Sequence, residues 1–184
     1  MKLAIIIIDM QKDFFKENPV LNKRKPVSVK NINNLIGYAR KKMIPIIWIK
    51  QEFKPDLSDA YLFMKKTGRK ITIKGTVGAQ IVDELNKRTK DTMIVKNRYS
   101  AFFRTRLEKL LRSRKIDTLI LAGINTHACI RMTAIDAYQR DFHVVLAKDC
   151  ISSWDKKHHN ISIAYLKKSM GIQALINKQL KNKF

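Results

Sequence analysis

The 184-residue chain has only two cysteines, Cys129 and Cys150, and no CxxC pair. That excludes a disulfide framework and a structural zinc cluster, so each cysteine is read as a separate thiol. Glycine and proline are sparse as well, at 6 and 4, and no stretch rich in them divides the chain. A single domain over residues 1–184 is therefore expected. Long apolar runs are missing: no segment reaches the roughly 18 residues that a membrane helix needs, and "MKLAIIIIDMQ" lacks a small-residue cleavage site. The expectation is a soluble, cytoplasmic protein without a membrane partner. Acidic residues are few beside basic ones, 15 against 38, for a formal net charge of +23. Such an excess raises the question of nucleic acid. The cations, however, fall in short runs ("NKRKP", "YARKKM", "LRSRK") between apolar blocks, with no aromatic RNA-binding motif, zinc finger or basic tail. A solvated basic surface is accordingly the main reading, with nucleic-acid binding on the same fold kept as the lesser alternative.

What the chain does contain is a repeating order. Five apolar, largely β-branched runs recur, "LAIIII" (3–8), "IPIIWI" (44–49), "TMIV" (92–95), "TLILA" (118–122) and "FHVVLA" (142–147), the pattern of strands buried on both faces. Between them lie segments with helical spacing: Ile32 to Met43, Ile81 to Leu85, Leu107 to Leu111, Ala128 to Ile135 and Ile161 to Tyr165. Alternation of this kind predicts an α/β fold, a mainly parallel sheet with helices on both faces and a short sixth strand near 172–175. Residues 51–77 are too long for an ordinary connection and are expected to form a lid or pocket loop.

Ligands of such sheets bind beyond the carboxyl ends of the strands. Three reactive side chains fall there: Asp9 after the first strand, Lys96 after the third, and Cys129 soon after the fourth. Cys129 stands near a helix N-terminus, where backbone N–H groups would lower a thiol's pKa. Asp9 ends an apolar run that would raise its own. Taken singly each has a plainer reading, as a core thiol, a turn aspartate and a solvated lysine; taken together they are a nucleophile, a base and a cation. His127 is two residues from Cys129, so on a helix the two side chains point about 200° apart and do not form a local pair. The H-x-E and P-C-x-x-C pattern of a zinc deaminase is missing. His158 and His159 are read as surface or capping residues, and "KGTVGAQ" lacks the G-K-[ST] of a phosphate loop.

The blocks "IIIIDMQKDFF", "GTVGAQIVDEL", "IVKNRYSAFFRTRLEKLL" and "IDTLILAGINTHACIRMTAIDAY" with "VVLAKDCISS" resemble, in order and spacing, the isochorismatase-like cysteine hydrolases, which include nicotinamidases and the N-carbamoylsarcosine and ureidoacrylate amidohydrolases. The resemblance implies a three-layer sandwich around a six-stranded sheet of order 3-2-1-4-5-6. It also implies a catalytic triad of Asp9, Lys96 and Cys129, with an oxyanion held by the N–H groups of Asn125 and Cys129 beside a cis Ile124–Asn125 peptide. Phe14, Trp48, Gln51, Tyr99, Phe103, His127, Ile130 and Arg131 are expected to shape the substrate pocket, with Glu52 and Arg98 as further polar candidates. Nicotinamidases carry metal ligands after the second strand where this chain has Gln51 and Phe53, so no metal and no cofactor is expected. True isochorismatases have glycine at the position of Cys129. The resemblance thus implies hydrolysis of an amide, ureido or carbamoyl C–N bond of a small molecule, with vinyl-ether hydrolysis as the alternative, in a homo-oligomer, dimer or tetramer.

Overall fold

The computed structural model describes residues 1–184. Six strands form one sheet: β1 (Leu3–Ile8), β2 (Ile46–Gln51), β3 (Thr92–Lys96), β4 (Thr118–Ile124), β5 (His143–Ser152) and β6 (Gln173–Leu175). Their order is β3-β2-β1-β4-β5-β6 and every pairing is parallel. Seven α-helices connect or follow them: α1 (Lys12–Glu17), α2 (Pro19–Lys41), α3 (Leu62–Thr67), α4 (Leu107–Ser113), α5 (Arg131–Tyr138), α6 (Lys156–Met170) and α7 (Asn177–Lys183). None is long and apolar enough to cross a membrane.

The isoleucine run serves two cores at once because successive strand side chains point to opposite faces. Ile5 and Ile7 join Trp48, Ile120 and Ala122 in a core closed by Ile32, Leu35 and Ile36 of α2 and Leu180 of α7. Ala4, Ile6 and Ile8 join Ile47, Ile49, Leu119 and Leu121 in the other, closed by Leu107 and Leu111 of α4, Ala134 and Ala137 of α5, and Leu166 of α6. Each fully buried isoleucine contributes about 1.5–3 kcal/mol relative to exposure, and β1 carries no polar residue before Asp9.

Several elements differ from the sequence reading. Strand β2 begins at Ile46 rather than Ile44, since Pro45 has no N–H to give the ladder. Helix α2 extends back through Pro26 to Pro19; Asn18 caps it by accepting the Leu21 N–H at 3.1 Å, and Pro19 at the first helical position needs no donor. Residues 81–85 are not helical: Ile81 forms an antiparallel bridge with Gln11, so the apolar spacing there records burial only. Strand β5 runs on to Ser152, with a register irregularity opposite Leu121–Gly123. The 51–77 segment is a small packed unit. It contains α3, a parallel bridge from Phe53 to Ile73, and its own cluster of Phe53, Leu57, Ala60, Met64, Ile71 and Ile73.

Candidate active site

Asp9, Lys96 and Cys129 arrive at the carboxyl edge of the sheet from the end of β1, the end of β3 and the turn after β4. Asp9 directly follows β1 and adopts φ of 55°, a left-handed conformation that aspartate accepts as a single residue. The turn lifts the chain out of the sheet and leaves the carboxylate facing the strand ends. Lys96 is the last residue of β3, paired in register with Gln51. Its ammonium lies 2.8 Å from Asp9 Oδ2 and 3.4 Å from Cys129 Sγ. All three side chains are buried: Asp9 is 1%, Lys96 2% and Cys129 5% exposed. Both carboxylate oxygens of Asp9 lack a well-formed hydrogen bond, leaving the Lys96 ammonium as their charged neighbour.

Burial raises the pKa of Asp9, against the opposing pull of Lys96 and the adjacent thiol. For Lys96 burial acts downward, but the charges of Asp9 and Cys129 outweigh it and the net direction is up. Cys129 is pushed up to about 12 by burial, with Asp9 adding to the shift and Lys96 opposing it. This overturns the expectation that a helix N-terminus lowers its pKa. Residues Thr126–Ile130 form a single π turn, with the N–H groups of Ala128 and Ile130 both donating to the Asn125 carbonyl, and α5 begins only at Arg131. Cys129 therefore precedes the α-helix, and desolvation decides. At neutral pH the group is a protonated thiol.

A folded-state pKa near 12 against an ordinary value of 9.0 has a consequence for stability. Between those values the unfolded chain has released the thiol proton and the folded chain keeps it, so stability falls as pH rises through that window. Urea denaturation at neutral and at alkaline pH should show this loss in the wild type, and a smaller loss in Cys129→Ala.

Asp9 and Cys129 line a cavity of about 450 Å³, whose walls also include Phe14, Gln51, Tyr61, Phe63, Arg69, Tyr99, Asn125, His127, Ala128 and Trp154. Phe14, Gln51, Tyr99 and His127 thus stand where the sequence reading put them. Four others do not line it. Trp48 is fully buried in the α2 core, with its indole N–H donating to Asp91 Oδ2 at 3.1 Å. Ile130 is buried in the opposite core. Phe103 is exposed under the Arg104 guanidinium, and Arg131 lies over the ring of Tyr165. Of the polar candidates, Glu52 pairs with Lys50. Arg98 donates to the carbonyls of Asp59 and Asn97 and lies over Tyr61.

His127 turns away from Cys129, with Nδ1 2.5 Å from Ser153 Oγ, and burial lowers its pKa. The Ile124–Asn125 peptide is cis. The Asn125 N–H has no acceptor in the protein.

An isochorismatase domain model matches residues 3–177. The chain belongs to the isochorismatase family. It is 35% identical over 171 residues to a probable inactive nicotinamidase of Arabidopsis thaliana, covering 89% of this chain and 87% of that one. It is 30% identical over 192 residues to a ureidoacrylate amidohydrolase of Acinetobacter baylyi, covering 91% and 78%. Among solved structures, an isochorismatase family protein from Desulfovibrio vulgaris superposes with a TM-score of 0.87 at 30% identity, covering 99% and 97%. The family is one of hydrolases with amidases among them.

In this isochorismatase-family chain, the positions that hold metal ligands in nicotinamidases do not suit a cation. Phe53 has no donor atom and packs edge-on against Tyr61. The Gln51 amide oxygen already accepts from the Lys96 ammonium at 3.4 Å and the Tyr61 hydroxyl at 3.3 Å. No group of three His, Cys, Asp or Glu is placed to hold a metal.

Two features of this family member escaped the sequence reading. Tyr61, Phe63 and Arg69, on and around α3 in the segment expected as a lid, and Trp154, after β5, line the cavity although none was singled out. Gln11, 0% exposed, accepts the Gln51 N–H at 2.7 Å and donates to the carbonyls of Gln51 at 2.7 Å and Ala79 at 2.9 Å. Its amide pairs with the peptide of Gln51 as a strand would, extending the β1–β2 ladder past the point where Asp9 leaves it. Gln11→Leu would strand an N–H and two carbonyls without partners; the expected loss is about 3 kcal/mol or more, read by urea denaturation. The block "DMQ" held the clue, a polar side chain three places after a buried strand. The glycine of "TVG" is explained too: a Cβ on Gly78 would lie 1.9 Å from Asp13 Oδ1, and Asp13 accepts the Thr72 N–H at 2.7 Å.

Proposed function

We propose that the protein is a cysteine amidohydrolase that cleaves a C–N bond of a small amide, ureido or carbamoyl compound through a thioester. The observation that carries this reading is the Lys96 ammonium set between the Asp9 carboxylate and the Cys129 sulfur beside the cavity. The Asp9 carboxylate takes the thiol proton, and Lys96 stabilises the thiolate that forms. The sulfur attacks the acyl carbon, and the oxyanion meets the free N–H of Asn125 together with that of Cys129, a preorganised arrangement that needs no reorganisation during reaction. Protonated Asp9 gives its proton to the leaving nitrogen as the C–N bond breaks, releasing ammonia or an amine. The carboxylate then deprotonates water, hydroxide attacks the thioester carbon, and the departing sulfur regains a proton.

Each step uses a property the geometry supports. A carboxylate with raised pKa is a better base and remains a competent acid, and burial in a water-poor site strengthens the Lys96 interaction. Similarity to a ureidoacrylate amidohydrolase supports the bond class. The test is release of ammonia from a panel of small primary amides, ureas and carbamoyl compounds: at least one should be turned over, and silence across the panel would remove the reading.

A further inference from the structure

The two helices that close one side of the sheet are uniform in charge. Helix α2 has six basic residues and α7 has three, and neither has an acidic one. They lie together: Ile32, Leu35 and Ile36 of α2 and Leu180 of α7 close the same core. The Asn177 side chain donates to the Asn31 carbonyl at 2.9 Å, which brings Lys30 and Lys178, the sequence neighbours of those asparagines, to the junction of the two helices. Within α2, Lys25 and Arg40 are paired with Glu84 and Asp91, both from the loop before β3. Lys23, Arg24, Lys30, Lys41, Lys178 and Lys181 are exposed and lie outside every ion pair. On the other side of the sheet the cations are partly neutralised, since Glu108 of α4 takes Arg112 and Arg140 and Asp136 of α5 takes Arg140. Helix α6, also on that side, has no acid either, but its four lysines stand in two separate pairs near its ends.

The free cations of α2 are placed in register. At about 100° per residue, Lys23, Lys30 and Lys41 fall within about 20° of one another around the helix. They form a row about 27 Å long on its outer ridge. Asn34 and Gly37 lie on the same ridge between Lys30 and Lys41, and a Cβ on Gly37 would meet nothing within 4 Å, so the row is open to a long surface. Lys178 and Lys181 widen it on the α7 side. From this geometry we propose that the α2–α7 face binds the phosphate backbone of double-stranded DNA without reading its sequence. A duplex presents one negative charge per about 1.7 Å of axis, a long polyanion matched to a row of ammonium groups with no carboxylate among them. Other polyanions suit the face less. Single strands are held by stacking on aromatic rings, and neither helix exposes one. A bilayer needs apolar side chains to bury; α2 exposes Val20 and Val27, and α7 exposes none. Duplex RNA is gripped through its 2′-hydroxyls, which need acceptors as well as donors, whereas an ammonium only donates. The face is separate from the proposed chemistry, for α2 lends the cavity only Leu21.

Fluorescence anisotropy with a labelled DNA duplex of about 20 base pairs, followed against salt, tests the proposal. With about six phosphates neutralised, affinity should fall about 10³-fold between roughly 50 and 200 mM salt. Lys23→Gln, Lys30→Gln, Lys178→Gln and Lys181→Gln together should flatten the slope of log K against log salt by about 3 to 4 and weaken low-salt binding about 100-fold or more. A charge-matched control replaces four exposed lysines off the face, Lys65, Lys66, Lys109 and Lys167, by Gln. It changes only the long-range field and should weaken binding by about threefold or less. All eight positions are exposed, so both variants should unfold in urea as the wild type does. No binding at low salt, equal losses in the two variants, or a slope that the α2–α7 variant leaves unchanged would overturn the proposal. So would tighter binding to single-stranded DNA, to duplex RNA or to phosphatidylserine vesicles than to the DNA duplex.

Discussion

Cys129→Ala lowers ammonia release from any amide the enzyme turns over by about 10⁴-fold or more, the size of effect seen when a covalent nucleophile is removed. In the proposed reaction the sulfur forms the bond to carbon, and Ser152 and Ser153 are buried outside the cavity wall. Substrate affinity should change little, because the aromatic walls and Gln51 remain. Cys129→Ser should be nearly as inactive, since Asp9 must then deprotonate a far weaker acid. The same variant separates the alternative chemistry. In vinyl-ether hydrolysis Asp9 protonates carbon and the thiol is a bystander, so Cys129→Ala would keep its rate. A single assay series on wild type and variant therefore decides between covalent amide cleavage and acid-catalysed ether cleavage.

Gly123→Ala should be the most damaging single methyl group in the molecule. Gly123 has φ of 111°, and a Cβ there would sit 2.0 Å from the Ile8 carbonyl oxygen and 2.7 Å from the Ile8 nitrogen. Both obstacles are backbone of the central strand, paired to Gly123 in register, so neither can rotate away. The expected loss is about 4 kcal/mol or more, measured by urea denaturation. Any folded remainder should be inactive, because Ile8 directly precedes Asp9 and Gly123 stands two residues before Asn125. The control is Gly37→Ala in α2, where a Cβ meets nothing within 4 Å. That change should be neutral or stabilising by up to about 1 kcal/mol. A tolerated Gly123→Ala would mean that β1 and β4 can separate at the site, which would undo the geometry on which the proposed oxyanion position depends.

The two variants probe different layers of the same arrangement. Cys129→Ala removes chemistry and leaves the frame; Gly123→Ala removes the frame and leaves the chemistry in the sequence. Gln11→Leu falls between them, weakening the strand end that holds Gln51 beside Lys96. If Gln11→Leu lost activity well beyond its loss of stability, the Gln11–Gln51–Lys96 contact would be the path by which it acts.

Much of this protein is written locally. Doubly apolar β-branched runs can be buried only as central parallel strands, and their alternation with helical segments leaves few topologies, so the sheet and the edge where Asp9, Lys96 and Cys129 gather were legible before any coordinates. Carboxylate, ammonium and thiol follow three different strands, and a parallel sheet brings such positions to one side by construction. Tertiary structure decided what depends on long-range packing. Trp48 and Ile130 were expected in the pocket from the resemblance, but side-chain alternation and helix phase sent each into a core. The length of the 51–77 segment already marked it as a lid or pocket loop, and Tyr61, Phe63 and Arg69 do line the cavity; which of its side chains reach it, and that Trp154 joins them, was decided by how that unit and the Ser153–Asp155 turn pack. Most telling is the Cys129 thiol. Sequence position suggested a lowered pKa, yet desolvation, a property of the whole surroundings and not of neighbours along the chain, raised it.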